Sequence, residues 1–153
     1  MNASAIMQAH RIFKSMCTAF DKRELKYQTE TESFTVKLQF SGEDISFDIS
    51  LSVIPETQLI TVNSKLPFAV SAEKIEEISL ATSMANCEIA FGNFDFNYRQ
   101  REVSFRSCMS IEECIIGDGC FNYLLDSACF AVERYNDKFV GLNLGFISLE
   151  EFV

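Results

Sequence analysis

Phe34-Thr35-Val36-Lys37-Leu38-Gln39-Phe40, then Ser41-Gly42-Glu43-Asp44, then Ile45-Ser46-Phe47-Asp48-Ile49-Ser50-Leu51-Ser52-Val53 is the stretch on which the fold turns. Apolar residues occupy every second position on either side of a tetrapeptide rich in turn formers. Side chains of a strand alternate between the two faces of its sheet, so this pattern predicts an antiparallel hairpin with one dry face and one polar face. Pro55-Glu56-Thr57 ends it, and Gln58 to Ser64, with Leu59, Ile60 and Val62 apolar, predicts a third strand.

Upstream the period is that of a helix. Ile6, Ala9, Ile12, Phe13, Met16, Cys17 and Phe20 recur every three or four residues, which predicts an amphipathic helix from about Ala3 to Leu25. Downstream, Lys65-Leu66-Pro67-Phe68 breaks the sheet, Ser71 is the expected N-cap, and Ile75, Ile78 and Ala81 mark a second helix to about Ala85. Cys87, Ile89 and Phe91 then alternate in odd phase, and Phe94, Phe96 and Tyr98 in even phase. A period of two changes phase only through an extra residue, so a β-bulge or tight bend is expected at Gly92-Asn93. Val103, Phe105 and Met109 return as the fifth strand. Phe121, Leu124, Leu125, Ala128, Val132, Tyr135 and Phe139 hold helical spacing to about Val140, and Ser148 with Glu151 fits a capping box.

The expected fold class is therefore α+β, in the order α-βββ-α-ββ-α: an antiparallel sheet with its helices on one face. At 153 residues one domain is expected, with an N-terminal amphipathic helix over 1–26, an α+β core over 27–147 and a C-terminal turn over 148–153. Thr35, Lys37, Gln39, Asp48, Ser50, Asp95, Ser104 and Arg106 fall on the polar face, a candidate recognition surface. Arg99 and Arg101, with Arg106 nearby, form a basic hairpin tip suited to an acidic partner. Lys37, Gln39, Asp48, Asp95, Arg99, Arg101 and Arg106 are accordingly the candidate partner-binding residues.

Charge narrows the function. The net charge is −9, which opposes general attraction to nucleic acid or anionic membranes. It is divided unevenly: residues 1–26 carry +3 and the remaining 127 carry −12, so the first helix either presents a basic solvated face with no specific partner or docks on an acidic surface, its own or a partner's. No apolar run reaches the roughly 18 residues of a membrane span, and the start Met1-Asn2-Ala3-Ser4-Ala5-Ile6 lacks the pattern of a secretion signal, so a cytoplasmic location is expected. Gly92-Asn93-Phe94-Asp95-Phe96-Asn97-Tyr98 has aromatics two apart, as RNA-binding sheets do, but its acidic residue and the acidic chain favour core packing.

Catalytic groups are sparse. His10 is the single histidine, flanked by Arg11 and distant in sequence from any nucleophile, so it is not a candidate catalytic base. The carboxylate pairs Glu76-Glu77, Glu112-Glu113 and Glu150-Glu151 are adjacent residues that diverge on a helix. No phosphate-binding, dinucleotide, zinc-protease, nucleophile-elbow or EF-hand motif is found. Of six cysteines, Cys87, Cys108 and Cys129 are expected to be buried thiols. Cys114 or Cys120, beside Gly117-Asp118-Gly119, is the candidate for exposure, and their spacing does not match a zinc knuckle. No cofactor or metal is expected.

Leu66-Pro67-Phe68-Ala69-Val70-Ser71, the helix ending Met84-Ala85-Asn86, and Phe91-Gly92-Asn93-Phe94 resemble the YbjN-like family of bacterial sensory transduction regulators, over about residues 27 to 145. The resemblance implies a type III secretion chaperone-like fold, a homodimer, and a role in binding another protein rather than catalysis. Arg99-Gln100-Arg101-Glu102 departs from the Asp-Gly turn of that pattern, and neither the cysteines nor the apolar run Phe139 to Ile147 is explained by it. A non-enzymatic protein-binding or regulatory module is the leading reading. A small-molecule-sensing domain with a pocket between helices and sheet is the alternative, and a thiol or metal enzyme using Cys114 and Cys120 is a third.

Overall fold

The structure, a computed structural model, describes residues 3–42 and 44–152, so Met1-Asn2 of the chain start, Glu43 of the expected hairpin turn and Val153 of the C-terminal turn lie outside the described residues. Helix α1 spans Ala3–Lys22 and buries the predicted stripe through Ala9, Ile12, Phe13, Met16, Ala19 and Phe20. It stops three residues short of the expected Leu25 because the chain reverses at Glu24 (φ 56°), with the Leu25 N–H donating to the Phe20 carbonyl. Tyr27 pins that reversal. Its hydroxyl donates to Asp21 at 2.6 Å, and its ring meets Phe20 edge-on at 6.2 Å.

Six strands follow: β1 Gln28–Glu30, β2 Thr35–Phe40, β3 Phe47–Ile54, β4 Leu59–Lys65, β5 Asn93–Asn97 and β6 Glu102–Ser110. They form one antiparallel sheet in the order β1-β2-β3-β4-β6-β5. The predicted hairpin register holds, with Val36 opposite Leu51 and Leu38 opposite Ile49. Strand β1 carries no alternation because all three of its residues are exposed, so periodicity could not reveal it. Phe34 takes the left-handed conformation (φ 49°) at the turn into β2 instead of serving as the strand's first inward residue.

Helices α2 (Ile75–Glu88) and α3 (Asp118–Leu144) lie with α1 against the inward row of Val36, Leu51, Ile60, Val62, Val103 and Phe105, leaving the opposite face of the sheet uncovered. Ser71 does not cap α2: its side chain makes no cap bond, and a single 3-10 turn, Ala72–Lys74, precedes the helix. The basic first helix is clamped to its own domain, since Lys22 pairs with Asp118 at 2.6 Å and Arg23 with Asp126 at 2.9 Å, both on α3. Such exposed pairs contribute about 0–1 kcal/mol each, so they orient α1 while its apolar stripe holds it.

The stretch 87–91 differs most from expectation. Instead of a strand, α2 continues to Glu88 and leaves Cys87 exposed. No bulge is needed, because the register from Asn93 opposite Arg106 to Asn97 opposite Glu102 is unbroken. The two apolar phases belong to different elements, one ending a helix and the other beginning a strand. Gly92 is the hinge between them: its φ is 79°, and a Cβ there would lie 2.5 Å from Phe105 Cζ and 2.9 Å from the Arg106 carbonyl oxygen. Asn86 completes the junction by accepting the Phe94 N–H at 2.7 Å and donating to the Phe94 carbonyl at 3.0 Å. A second asparagine works the same way, Asn143 accepting the Ser71 N–H at 2.9 Å and donating to the Ala69 carbonyl at 3.2 Å.

Gly92→Ala is expected to destabilise the chain by about 2–4 kcal/mol, combining the left-handed penalty with overpacking against Phe105. Urea unfolding measures it, and a loss under about 0.5 kcal/mol, the scale of an ordinary surface substitution, would contradict the close approach.

Candidate functional site

The uncovered face of the sheet is a shallow trough of about 1360 Å³. Cross-strand registry builds its floor from the short polar side chains of Ser50 and Asn63, which lie opposite each other, with Lys37 opposite Ser50; Arg106, opposite Asn63, stands beyond the lining. Its rim comes from loops: Lys26 and Tyr27 after α1 on one side, Pro67 and Phe68 after β4 on the other. A floor of Ser and Asn, bordered by longer side chains, lets a polypeptide backbone approach closely and offers it donors and acceptors.

Of the predicted residues, Lys37, Gln39 and Asp48 line the trough together, and Gln39 and Asp48 are cross-strand partners. Arg106 stands in the same row as Lys37 three strands away, about 14 Å at ordinary strand spacing. Its guanidinium Nε donates to Asp95 at 2.7 Å, and this pairing raises the arginine's pKa. Lys37 is paired with Glu30, whose carboxyl is held below its usual range by that hydrogen bond and charge, and Lys65 is paired with Glu102. These charges largely satisfy one another, so the trough offers hydrogen bonding more than net charge. Thr35, expected on the solvated face, is buried, its hydroxyl 2.7 Å from that of Ser52.

Arg99 and Arg101 sit outside the trough, exposed at the β5–β6 turn. Asn97 shapes that turn by accepting the Arg99 and Gln100 N–H groups, each at 3.1 Å, and Arg101 adopts the left-handed conformation (φ 53°) usually given to glycine. The candidate set thus divides into a trough group of Lys37, Gln39 and Asp48, an Asp95–Arg106 pair beyond the trough, and a tip group of Arg99 and Arg101.

The two edges of the sheet, which no residue pattern foretold, differ. On β5, the Asn86 side chain occupies both backbone groups of Phe94. At the opposite edge β1 pairs with Thr35–Lys37, so among the described residues Leu38–Phe40 of β2 have no strand on the side away from β3. That open edge runs beside the trough, which Leu38 and Gln39 help to line. The Asn at the end of α2 was the available signal for the blocked edge, whereas the open one follows from the shortness of β1.

Three cysteine expectations are corrected. Cys87 and Cys108 are exposed and Cys129 is half-buried. Cys108 has the parity of Arg106 in β6, opposite Thr61, and so projects outward, while Cys87 lies on the free side of α2. Cys114 is exposed and Cys120 half-buried in the first turn of α3. Among the described residues, no three His, Cys, Asp or Glu side chains gather as a metal site would require. His10 packs edge-on to Phe34 at 6.1 Å. Burial pushes the Cys129 thiol up to about 12 and raises that of Cys17. The helix–sheet interface, where a sensing pocket was the alternative, is filled by Phe94, Phe105, Tyr135 and Phe139.

No family model and no curated protein sequence matches the chain. Among solved structures it matches a chain of the ExsC–ExsE complex with a TM-score of 0.61 at 14% identity, covering 84% of this chain and 93% of that one. The fold is therefore α+β of the type III secretion chaperone-like kind. It also matches YbjN from E. coli, a proposed transcription regulator, with a TM-score of 0.59 at 9% identity, over 82% of this chain and 91% of that one. The resemblance read from Leu66–Ser71, Met84–Asn86 and Phe91–Phe94 is thus matched in fold. Among the described residues, no helix is long and apolar enough to cross a membrane.

In the folded protein at about pH 8, iodoacetamide is expected to alkylate the exposed Cys87, Cys108 and Cys114 first and the half-buried Cys17 and Cys129 more slowly, because the thiolate is the nucleophile and burial raises both of the latter thiols. Peptide mass spectrometry reads the order, and early labelling of Cys129 would contradict its burial.

Proposed function

We propose that this protein is a non-enzymatic, chaperone-like regulatory module of the YbjN sensory-transduction type, working in the cytoplasm as a homodimer. Its task is to hold an extended segment of a partner polypeptide along the open edge of β2 and across the trough. The observation that carries the reading is the asymmetry of the edges: Asn86 takes up the outward backbone groups of Phe94 on β5, whereas among the described residues Leu38–Phe40 are left without a neighbouring strand. Unpaired strand edges invite another chain, and proteins that do not use them generally block them. The match to a chain from a two-protein complex supports a partner-binding role.

Magnitudes require the trough as well as the edge. Two or three backbone hydrogen bonds at about 1 kcal/mol each fall well short of the roughly 8 kcal/mol of micromolar binding. The remainder has to come from Lys37, Gln39, Asp48 and the trough floor, with Arg99 and Arg101 as a secondary contact for acidic residues.

A photo-crosslinking residue at Gln39 is expected to trap a partner polypeptide in native lysate, and Ser50→Trp, which fills the floor, is expected to weaken capture by at least about tenfold, or 1.4 kcal/mol. Crosslinking confined to position 99, with Ser50→Trp indistinguishable from the unaltered protein, would move the site to the hairpin tip. Light scattering at high micromolar concentration tests the homodimer, and a strict monomer would remove it.

A further inference from the structure

Hydrogen-bond parity along β2 locates the point at which a strand can add. The Val53 N–H donates to the Phe34 carbonyl at 3.1 Å. Consecutive residues of an antiparallel strand turn their N–H and C=O groups alternately to the two sides, so Phe34, Val36, Leu38 and Phe40 face β3 while Thr35, Lys37 and Gln39 face away. Glu30 and Gln28 of β1 stand opposite Thr35 and Lys37. Gln39 is left, and among the described residues its N–H and C=O have no partner. It is the counterpart of Phe94 on the other edge, whose two outward groups Asn86 takes up.

Continued back by two residues, the register of β1 would set Lys26 opposite Gln39. The chain has left the ladder there, with the Tyr27 hydroxyl bonded to Asp21 of α1, and Lys26 lines the trough together with Gln39 and Asp48. Asp48 is the cross-strand neighbour of Gln39 on its other side, about 5 Å away between backbones. Five charged residues line the trough: Lys26, Lys37, Asp48, Lys65 and Glu102. Lys37 is paired with Glu30 and Lys65 with Glu102, whereas Lys26 and Asp48, both exposed, have no ionic or hydrogen-bonding partner among the described residues. The unpaired charge of the trough therefore gathers at its open edge, a cation and an anion beside one free backbone pair.

We infer that the partner segment is of mixed charge: an acidic residue meets Lys26 at the edge, a basic residue meets Asp48 on the floor, and the backbone between them bonds to Gln39. This rests on the strand-addition reading above and adds to it the chemistry of the partner. A wholly acidic segment brings a like charge to Asp48 and a wholly basic one to Lys26, so each is opposed by one of the two. Lys37 and Lys65 contribute little to the choice, since each already holds a carboxylate.

The test uses the full chain and three acetylated, amidated peptides: Thr-Val-Glu-Thr-Val-Arg-Thr, the same peptide with Glu at both charged positions, and the same with Arg at both. Titration at low salt, followed through the Gln39 backbone amide resonance, reports site and affinity together. The mixed peptide is expected to bind at least about threefold more tightly than either of the others, the scale of exposed charge pairs, and its advantage is expected to shrink as salt is added. Lys26→Gln is expected to abolish the advantage over the Arg peptide, and Asp48→Asn the advantage over the Glu peptide. Both side chains are exposed and unpaired among the described residues, so the variants keep the fold. Equal affinity for all three peptides at Gln39, or preferences that neither substitution alters, overturns the mixed-charge partner while the strand-addition reading stands. No response of Gln39 to any peptide at millimolar concentration overturns both.

Discussion

The packing of Phe94 holds the elements of this fold in one arrangement. From the edge strand β5 its ring meets Phe105 of the neighbouring strand at 5.5 Å, and Tyr135 and Phe139 of the long helix at 5.7 and 5.2 Å. Edge-to-face aromatic pairs are worth about 0.5–1.5 kcal/mol each beyond the area they bury, and here they join the sheet to α3. The ring can reach them because Gly92 lets the chain pass against Phe105, and Asn86 holds the Phe94 backbone in place. The three residues act as one device that sets helix end, strand start and sheet edge together.

That device also determines which side of the protein is open to partners. By taking up the outward backbone groups of Phe94, Asn86 obstructs strand addition at that point of the β5 edge. The opposite edge is left by the shortness of β1, and on the outer face beside it Lys37 pairs with Glu30, Lys65 with Glu102 and, beyond the trough, Arg106 with Asp95. A chain of net charge −9 thereby presents a polar sheet face on which much of the charge is paired. Lys22 and Arg23 of the +3 segment are paired with Asp118 and Asp126 of α3, so the end of the first helix is tied to its own domain.

Local pattern made much of the fold legible. Where one face of an element is buried, its period survives in the sequence, as it does in α1, the β2–β3 hairpin, β6 and α3. It misled at 87–91, where apolar residues of a helix end and a linker happened to alternate, and at Cys108, whose parity placed it outward although its residue type suggested burial. The candidate site was legible in part: Lys37, Gln39 and Asp48 do share the trough, because strand parity placed them on one face. Phe68, Lys26 and Tyr27 on its rim come from loops without periodicity, and Arg99 and Arg101 fall outside it because a turn lies beyond the ladder.

Sequence by itself determined the class of fold, the inward and outward faces of each long strand and the division of charge, since these follow from the period of side chains and from simple counting. Tertiary structure alone decided that Asn86 meets the β5 edge at Phe94, how far β1 extends, that the end of the basic helix is tied to α3 through Lys22 and Arg23, and that Phe152 returns to the aromatic core. Each depends on a contact between residues far apart in the chain, such as Asp118 with Lys22 or Phe152 with Tyr135, whose partners no local spacing records.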